Sequence, residues 1–541
     1  MIRNPTSDDR VSLTTRVPAC IDSVIGSSDD TMNFVVPPRR LILATIVMAS
    51  VAMYRPLVLW SQNPWDLAAP QELFLYSAVA VVVQLAIFLV LVALGVQELA
   101  SVVAVAGSSL VILFWNRTPL LPPWGWLLLL AISAAMLHAR ARARWLGVIA
   151  TVTAAVLTIA PSLQVAIAHV QSAEEYPIVE LAPRRAADAT GAVEDVLVVV
   201  VDSYPSAPIA RNWFEHDPEI LLSRFRAKGL TTPTAGWSHH TFTHLAIPSL
   251  LELQPIVGPN IGNSWGNRRS TYRLIRGDNL VATTLQSAGF RYTHIESGWD
   301  GGQCGHNVDD CAVAPWFSEA TWLLLSPSAV APWLLSQYGN TSVPGTKHTI
   351  SSLLELEHRF DDGTKDYVFA HLLLPHAPIV VNEKCEVDQH LTEAAGVLDP
   401  MESEPESILA FGPQIECVDT LLSQAIDVIG NRTAVLITGD HGPGSNGQIP
   451  KLPTEWSDAD IAERLGVLLA YKLPSGCRQP ETDSNIEAMR SIMACAVDMD
   501  LPAYNGRYVL GASSPVFVEP SRMDKIKVLV TRGELGPATG R

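Results

Sequence analysis

The chain has 541 residues, enough for more than one domain; 48% are hydrophobic, and 37 Lys plus Arg face 54 Asp plus Glu, a formal net charge of −17. Such an apolar composition is high for a wholly soluble protein, and so acidic a balance argues against nucleic acid as a partner, because phosphate backbones are bound by basic surfaces.

The apolar excess lies in the first third. A polar tail over residues 1–40 is followed by "LILATIVMASVAMY", "LFLYSAVAVVVQLAIFLVLVALG", "LASVVAVAGSSLVILFW", "WGWLLLLAISAAML" and "WLGVIATVTAAVLTIAPSLQVAIA". Their lengths approach the roughly 20 apolar residues that cross a bilayer, and they predict five membrane helices near 41–59, 73–95, 99–115, 124–138 and 145–169. The near absence of a polar stripe argues against buried helices of a soluble α protein. The near absence of charge within the spans argues against a transporter. Arg39 and Arg40 before the first helix, and Arg140, Arg142 and Arg144 between the fourth and fifth, place both segments in the cytoplasm. Five crossings then put everything beyond residue 170 outside it. The first apolar run is expected to act as anchor and export signal together. The expected organisation is a cytoplasmic tail (1–40), a five-helix transmembrane domain (41–170), a polar linker (171–192) and an extracytoplasmic domain (193–541), in a multi-pass protein of the cytoplasmic (inner) membrane.

Charge and cysteines follow the same division. Residues 1–170 hold 10 Lys plus Arg and 8 Asp plus Glu, which leaves 27 and 46 in the remainder, a net of −19. Cys20 lies in the tail; Cys304, Cys311, Cys385, Cys417, Cys477 and Cys495 lie beyond the membrane, where an even number suggests disulfides. Pairing neighbours in sequence would join 304 to 311, 385 to 417 and 477 to 495, one of fifteen arrangements.

The ectodomain opens with "VEDVLVVVVDSYPSA", a continuous valine run ending at Asp202, as expected of a strand buried on both faces of a parallel sheet. "DYVFAHLLLPHAP" carries His371 and His376 to another strand end, and "RTAVLITGDHG" does so for Asp440 and His441. Between them, "IPSLLEL" and "IECVDTLLSQAIDVI" have helical spacing. The expected fold is α/β, a mostly parallel sheet flanked by helices, with its ligands beyond the carboxyl ends of the strands. Aspartate and histidine side by side offer a hard oxygen and an imidazole nitrogen, a mixture that suits zinc or manganese.

Four segments, "VVVVDSYPS", "SHHTFTHLAIPSLL", "FAHLLLPHAP" and "LITGDHGPG", together resemble in their order the sulfatase-like family of the alkaline phosphatase superfamily. Membrane helices followed by such a domain look like lipoteichoic acid synthase-like phosphoglycerol transferases and phosphoethanolamine transferases. The resemblance implies an alkaline-phosphatase-like ectodomain in which Asp202, Thr243, Asp440 and His441 hold one divalent metal ion, manganese or zinc before magnesium. Thr243 would be the nucleophile, preferred to Thr241 because "THLAIPSLL" has the family spacing, with Ser249 six positions on. His371 and His376 would face the substrate, binding a phosphate oxygen or protonating the departing one; His376 is the stronger candidate, and His239, His240 and His244 flank the nucleophile.

Displacement at phosphorus needs charge neutralisation on the non-bridging oxygens and an activated nucleophile in line with the leaving group. A metal bound to the threonine oxygen supplies both. Residues 243–247 read "THLAI", without the Cys or Ser and the Arg that sulfatase maturation requires, which argues against sulfate-ester hydrolysis. No histidine follows His441, which favours one metal over two. The expected activity is transfer, from a phospholipid head group or phosphorylated glycan, by a membrane-embedded enzyme. The alternatives are a phosphoester hydrolase on the same site and a catalytically inactive binding ectodomain.

Overall fold

The computed structural model describes, apart from a few positions within them, residues 70–94, 191–256, 268–314, 342–356, 363–388, 411–445, 451–497 and 504–537, with scattered positions at 46–58, 159–167 and 333. The tail over 1–40, most of the expected membrane spans and nearly all of the expected linker lie outside these residues. Within the second expected span, helix α1 covers Pro70–Ala93. Among the described residues, no helix is long and apolar enough to cross a membrane.

Beyond the linker, the core is one six-stranded sheet. Its strands are β1 (Asp195–Val201), β2 (Arg291–Ile295), β3 (Asp310–Ala312), β4 (Asp366–Leu372), β5 (Thr433–Gly439) and β6 (Leu469–Lys472), in the spatial order β3-β2-β4-β1-β5-β6. All neighbours are parallel except β6, which runs antiparallel to β5 along the edge. β1, β4 and β5 are buried along their whole lengths, which is why they read as unbroken apolar runs rather than as alternating patterns.

The valines of β1 divide between two cores because successive side chains point to opposite faces. Val199 and Val201 pack with Ile350 and Leu353 of helix α4 (Ser342–Glu355), Ile415 and Val418 of α5 (Phe411–Ala425) and Ile461 of α6 (Asp458–Leu465). Val196, Val198 and Val200 pack with Ile247 and Leu250 of α2 (Thr243–Leu251), Leu280 and Leu285 of α3 (Leu280–Ser287), and Ile486 and Met489 of α7 (Asn485–Ala496). The sheet is thus covered by helices on both sides, as its parallel strands require.

Among the described residues three disulfides form, all between sequence neighbours: Cys304–Cys311, Cys385–Cys417 and Cys477–Cys495. The first joins the edge strand β3 to the loop that leaves β2, the second ties the segment beyond β4 to α5, and the third anchors α7.

Register sets the site. Val201 of β1 lies opposite Leu372 of β4 and Gly439 of β5, so the next residues, Asp202 and Asp440, leave the sheet side by side. Asp202 N–H donates to the Leu372 carbonyl (2.9 Å), extending the β1–β4 ladder by one bond.

Candidate metal and nucleophile site

Asp202, Asp440 and His441 each offer a ligand atom within 4.8 Å of the other two, and all three are buried. His441 Nε2 lies 3.4 Å from Asp440 Oδ2 and 3.8 Å from Asp202 Oδ1. Thr243 joins them from α2: its Oγ1 is 3.0 Å from His441 Nε2. The other ring nitrogen of His441, Nδ1, donates to the Gly442 carbonyl at 3.0 Å. That bond assigns the proton to Nδ1 and leaves the Nε2 lone pair directed at Thr243 and the carboxylates.

Local backbone chemistry holds these groups. Ser203, in the turn after β1, has φ of +62°, a left-handed conformation uncommon for a residue with a side chain. The turn lets its N–H donate to Asp440 Oδ1 (3.1 Å) and its hydroxyl to Asp202 Oδ1 (3.1 Å), so one residue touches both acids. His441 N–H also donates to Asp440 Oδ1 (2.7 Å). Thr243 is the first residue of α2, whose preceding residue Phe242 is extended and gives the helix no side-chain cap. Its hydroxyl therefore stands at the positive end of the helix dipole, where negative charge is favoured.

Electrostatics fit a cation. Burial pushes the Asp202 carboxyl up to about 7, against which the Ser203 hydroxyl and the Arg464 charge act. Burial, and then the neighbouring Asp202, push Asp440 to about 8. Burial also holds His441 well below the usual histidine range, helped by the positive charge of Arg464, so it is neutral with a free lone pair. Two buried acids and a neutral imidazole become favourable together when a divalent ion replaces the protons. The donor set of two carboxylates, one imidazole and one hydroxyl fits zinc or manganese.

The remaining candidates divide. His371, near the end of β4, lies 3.6 Å from Asp202 Oδ2 and meets the Trp299 ring edge to face at 5.6 Å; burial pushes it down to about 3. His376 follows the cis Leu374–Pro375 bond, and its ring centroid is 6.2 Å from that of His441. Its Nδ1 donates to the Ala377 carbonyl (2.6 Å), and burial lowers its pKa. Thr241 is fully buried and its hydroxyl accepts from Gly511 N–H (3.1 Å), so that oxygen has a structural partner. Ser249 is likewise occupied, bonded to the Leu245 carbonyl (2.7 Å) and Ile256 N–H (2.9 Å). His239 is built into a polar cluster with the Arg507 carbonyl and the Ser484 hydroxyl, each at 2.8 Å. His240 and His244 are buried beside the nucleophile segment. Glu296, Cys304 and Cys311 form a second cluster of ligand type, but its two sulfurs are joined in a disulfide.

Two residues of the site are not evident in the sequence. One is Ser203; the other is Arg464, buried in α6, whose burial lowers its pKa to about 10 against the raising effect of Asp440, Glu463 and Asp202. An arginine in "DIAERL" reads as a solvated helix position. The available signal is its spacing, three residues after Ile461, on the apolar face.

No family model and no curated protein matches the chain. Solved structures do resemble it. The zinc complex of the C-terminal periplasmic domain of EptC from Escherichia coli aligns at 13% identity over 60% of this chain and 88% of that one, with a TM-score of 0.38. The integral membrane lipooligosaccharide phosphoethanolamine transferase A of Neisseria meningitidis aligns at 13% identity over 88% and 86%, with a TM-score of 0.37. The lipoteichoic acid synthase LtaP of Listeria monocytogenes aligns at 11% over 60% and 77%, with a TM-score of 0.36. These are the kinds of protein that the four sequence segments resemble. At such identities and scores, what this site does is decided by its own geometry.

Proposed function

We propose that this chain is a membrane-anchored, metal-dependent phosphotransferase with an extracytoplasmic sulfatase-like domain. It takes a phosphorylated head group from a phospholipid onto Thr243 and passes it to a hydroxyl of an envelope glycan, lipid or polymer. The observation that carries this reading is the convergence of the Thr243 hydroxyl, 3.0 Å from His441 Nε2, on two buried carboxylates at the ends of adjacent strands.

Asp202, Asp440, His441 and Thr243 would hold the ion, which when bound neutralises phosphoryl oxygens and favours the deprotonated threonine. Thr243 Oγ1 forms the new bond to phosphorus while the bond to the lipid oxygen breaks, and the start of α2 favours the negative charge gathered there. His376, its Nδ1 proton fixed on Ala377, exchanges a proton at Nε2 with the departing and then the incoming hydroxyl. An anionic phosphoryl group beside it would raise its depressed pKa toward that task. His371, its Nε2 3.6 Å from Asp202 Oδ2, stands beside the ligand set, where it would face a phosphoryl oxygen of the substrate.

Membrane anchoring draws support from α1 as well as from the sequence. Its exposed side chains include Leu75, Val79, Val82, Val83, Ile87 and Val90, whereas Ser77, Gln84 and Phe88 are buried. An apolar exposed face over a buried face that includes Ser77 and Gln84 is the reverse of a soluble helix, and it suits lipid. The test is purified full-length protein in mixed phospholipid vesicles: a chelator should stop head-group release, and zinc or manganese should restore it. Release unaffected by chelation and readdition would overturn the metal-dependent reading.

A further inference from the structure

The C-terminal end of α6 is wedged between the segment that carries the nucleophile and the segment that carries the metal ligands. On one side, Ser238 N–H donates to the Leu465 carbonyl (2.8 Å) and Arg464 Nη2 donates to the Thr241 carbonyl, two residues before Thr243. On the other side, Arg464 Nη1 donates to the Gly442 carbonyl (2.6 Å) and Gly442 N–H donates back to the Arg464 carbonyl (2.9 Å). Glu463 extends the contact by accepting from Ser445 N–H (2.9 Å). A single guanidinium therefore spans two chain segments that are 201 positions apart in sequence, counting from Thr241 to Gly442. The Gly442 carbonyl it holds is also the acceptor for His441 Nδ1, the bond that directs Nε2 toward Thr243.

Resting on the phosphotransfer reading, we propose that Arg464 is a positioning residue that sets the distance between Thr243 and His441 by gripping the Thr241 and Gly442 carbonyls with its two terminal nitrogens. The planar fork of arginine is what the geometry uses: two fixed donors reach two carbonyls in different segments, which a lysine ammonium at the end of a flexible stem does not reproduce. The Phe242 ring, with the guanidinium carbon 5.6 Å from its centroid, restrains the group further. Relaxing such a distance by about 1 Å costs roughly 10²-fold in rate.

The test compares Arg464→Lys and Arg464→Ala with Arg522→Ala, a control that removes an ion pair to Asp458 at the other end of α6. Amide hydrogen exchange is followed at 238–244 and 441–445 in the full chain, alongside zinc content, melting temperature and head-group release. The expected result is faster exchange in both segments together in the two Arg464 variants and in neither for the control. Release should fall roughly 10²-fold with zinc retained, and added guanidinium should partly restore Arg464→Ala but not Arg464→Lys. Unchanged exchange in both segments of folded Arg464→Lys, or loosening of α6 alone, overturns the inference. A wild-type protein that releases no head group overturns the phosphotransfer reading instead, while the exchange result still decides the role of Arg464.

Discussion

Asp202 and Asp440, two buried carboxylates at the ends of adjacent strands, make a direct chemical demand. Their folded pKa values, pushed by burial up to about 7 and about 8 from the ordinary carboxylate value, mean that the metal-free folded protein binds protons more tightly than the unfolded chain. The stability these groups contribute is present below about pH 4 and is lost as pH rises through about 7 and then 8. A metal must displace the same protons, so manganese affinity measured by titration calorimetry should climb from pH 6 to pH 8 and level off above it, by up to about tenfold per unit for each proton released. A flat affinity across that range would show that the carboxylates are not the ligands. His376→Ala should retain metal and lose roughly 10² to 10⁴ in turnover, read from steady-state kinetics. At this scale the sequence was informative where a polar residue ends an apolar run, as Asp202, Asp440 and His441 do. It was silent on Ser203 and Arg464, because a serine in a turn and an arginine in a helix have ordinary solvated roles. Only the folded chain puts them against two carboxylates and two distant carbonyls.

Elements bring these residues together through close approach as well as register. Gly442 lies where a Cβ would meet the Glu463 carbonyl oxygen at 1.8 Å, a backbone atom that cannot swing aside. Gly442→Ala should therefore push α6 away from the strand end, costing roughly 1–3 kcal/mol. A lowered denaturant midpoint together with weaker metal binding is the expected outcome, and wild-type values for both would contradict the packing described. The central strands β1, β4 and β5 were legible because burial on both faces removes polar residues from them. The helical spacing of "IECVDTLLSQAIDVI" corresponds to α5, which ends at Ala425 before a short 3₁₀ turn over Ile426–Val428. By contrast β2, β3 and β6 carry little local signal: "RYTHI", "DCA" and "LAYK" are short and mixed in polarity, and their strand character comes from the neighbours they pair with. Strand order, including the antiparallel edge, depends on pairings across hundreds of residues and has no local signature.

In the whole molecule, a membrane domain read from sequence precedes an acidic, disulfide-bonded domain that holds the candidate site. A reporter fused after residue 142 should be active only in the cytoplasm and one fused after residue 185 only outside it, because the arginines at 140, 142 and 144 are retained inside. Both reporters active on one side would remove the five-crossing arrangement. Disulfides between sequence neighbours agree with an oxidising compartment for the domain. The proposed mechanism requires that Thr243 carry the transferred group, which mass spectrometry of the full-length protein, quenched during turnover with mixed phospholipids and a divalent metal, reads on the residue itself. The expected result is a phosphorylated head group on Thr243, no adduct in Thr243→Ala with a fall in turnover of about 10³-fold or more, and partial activity in Thr243→Ser. An adduct on Thr241, or full turnover in Thr243→Ala, would contradict it.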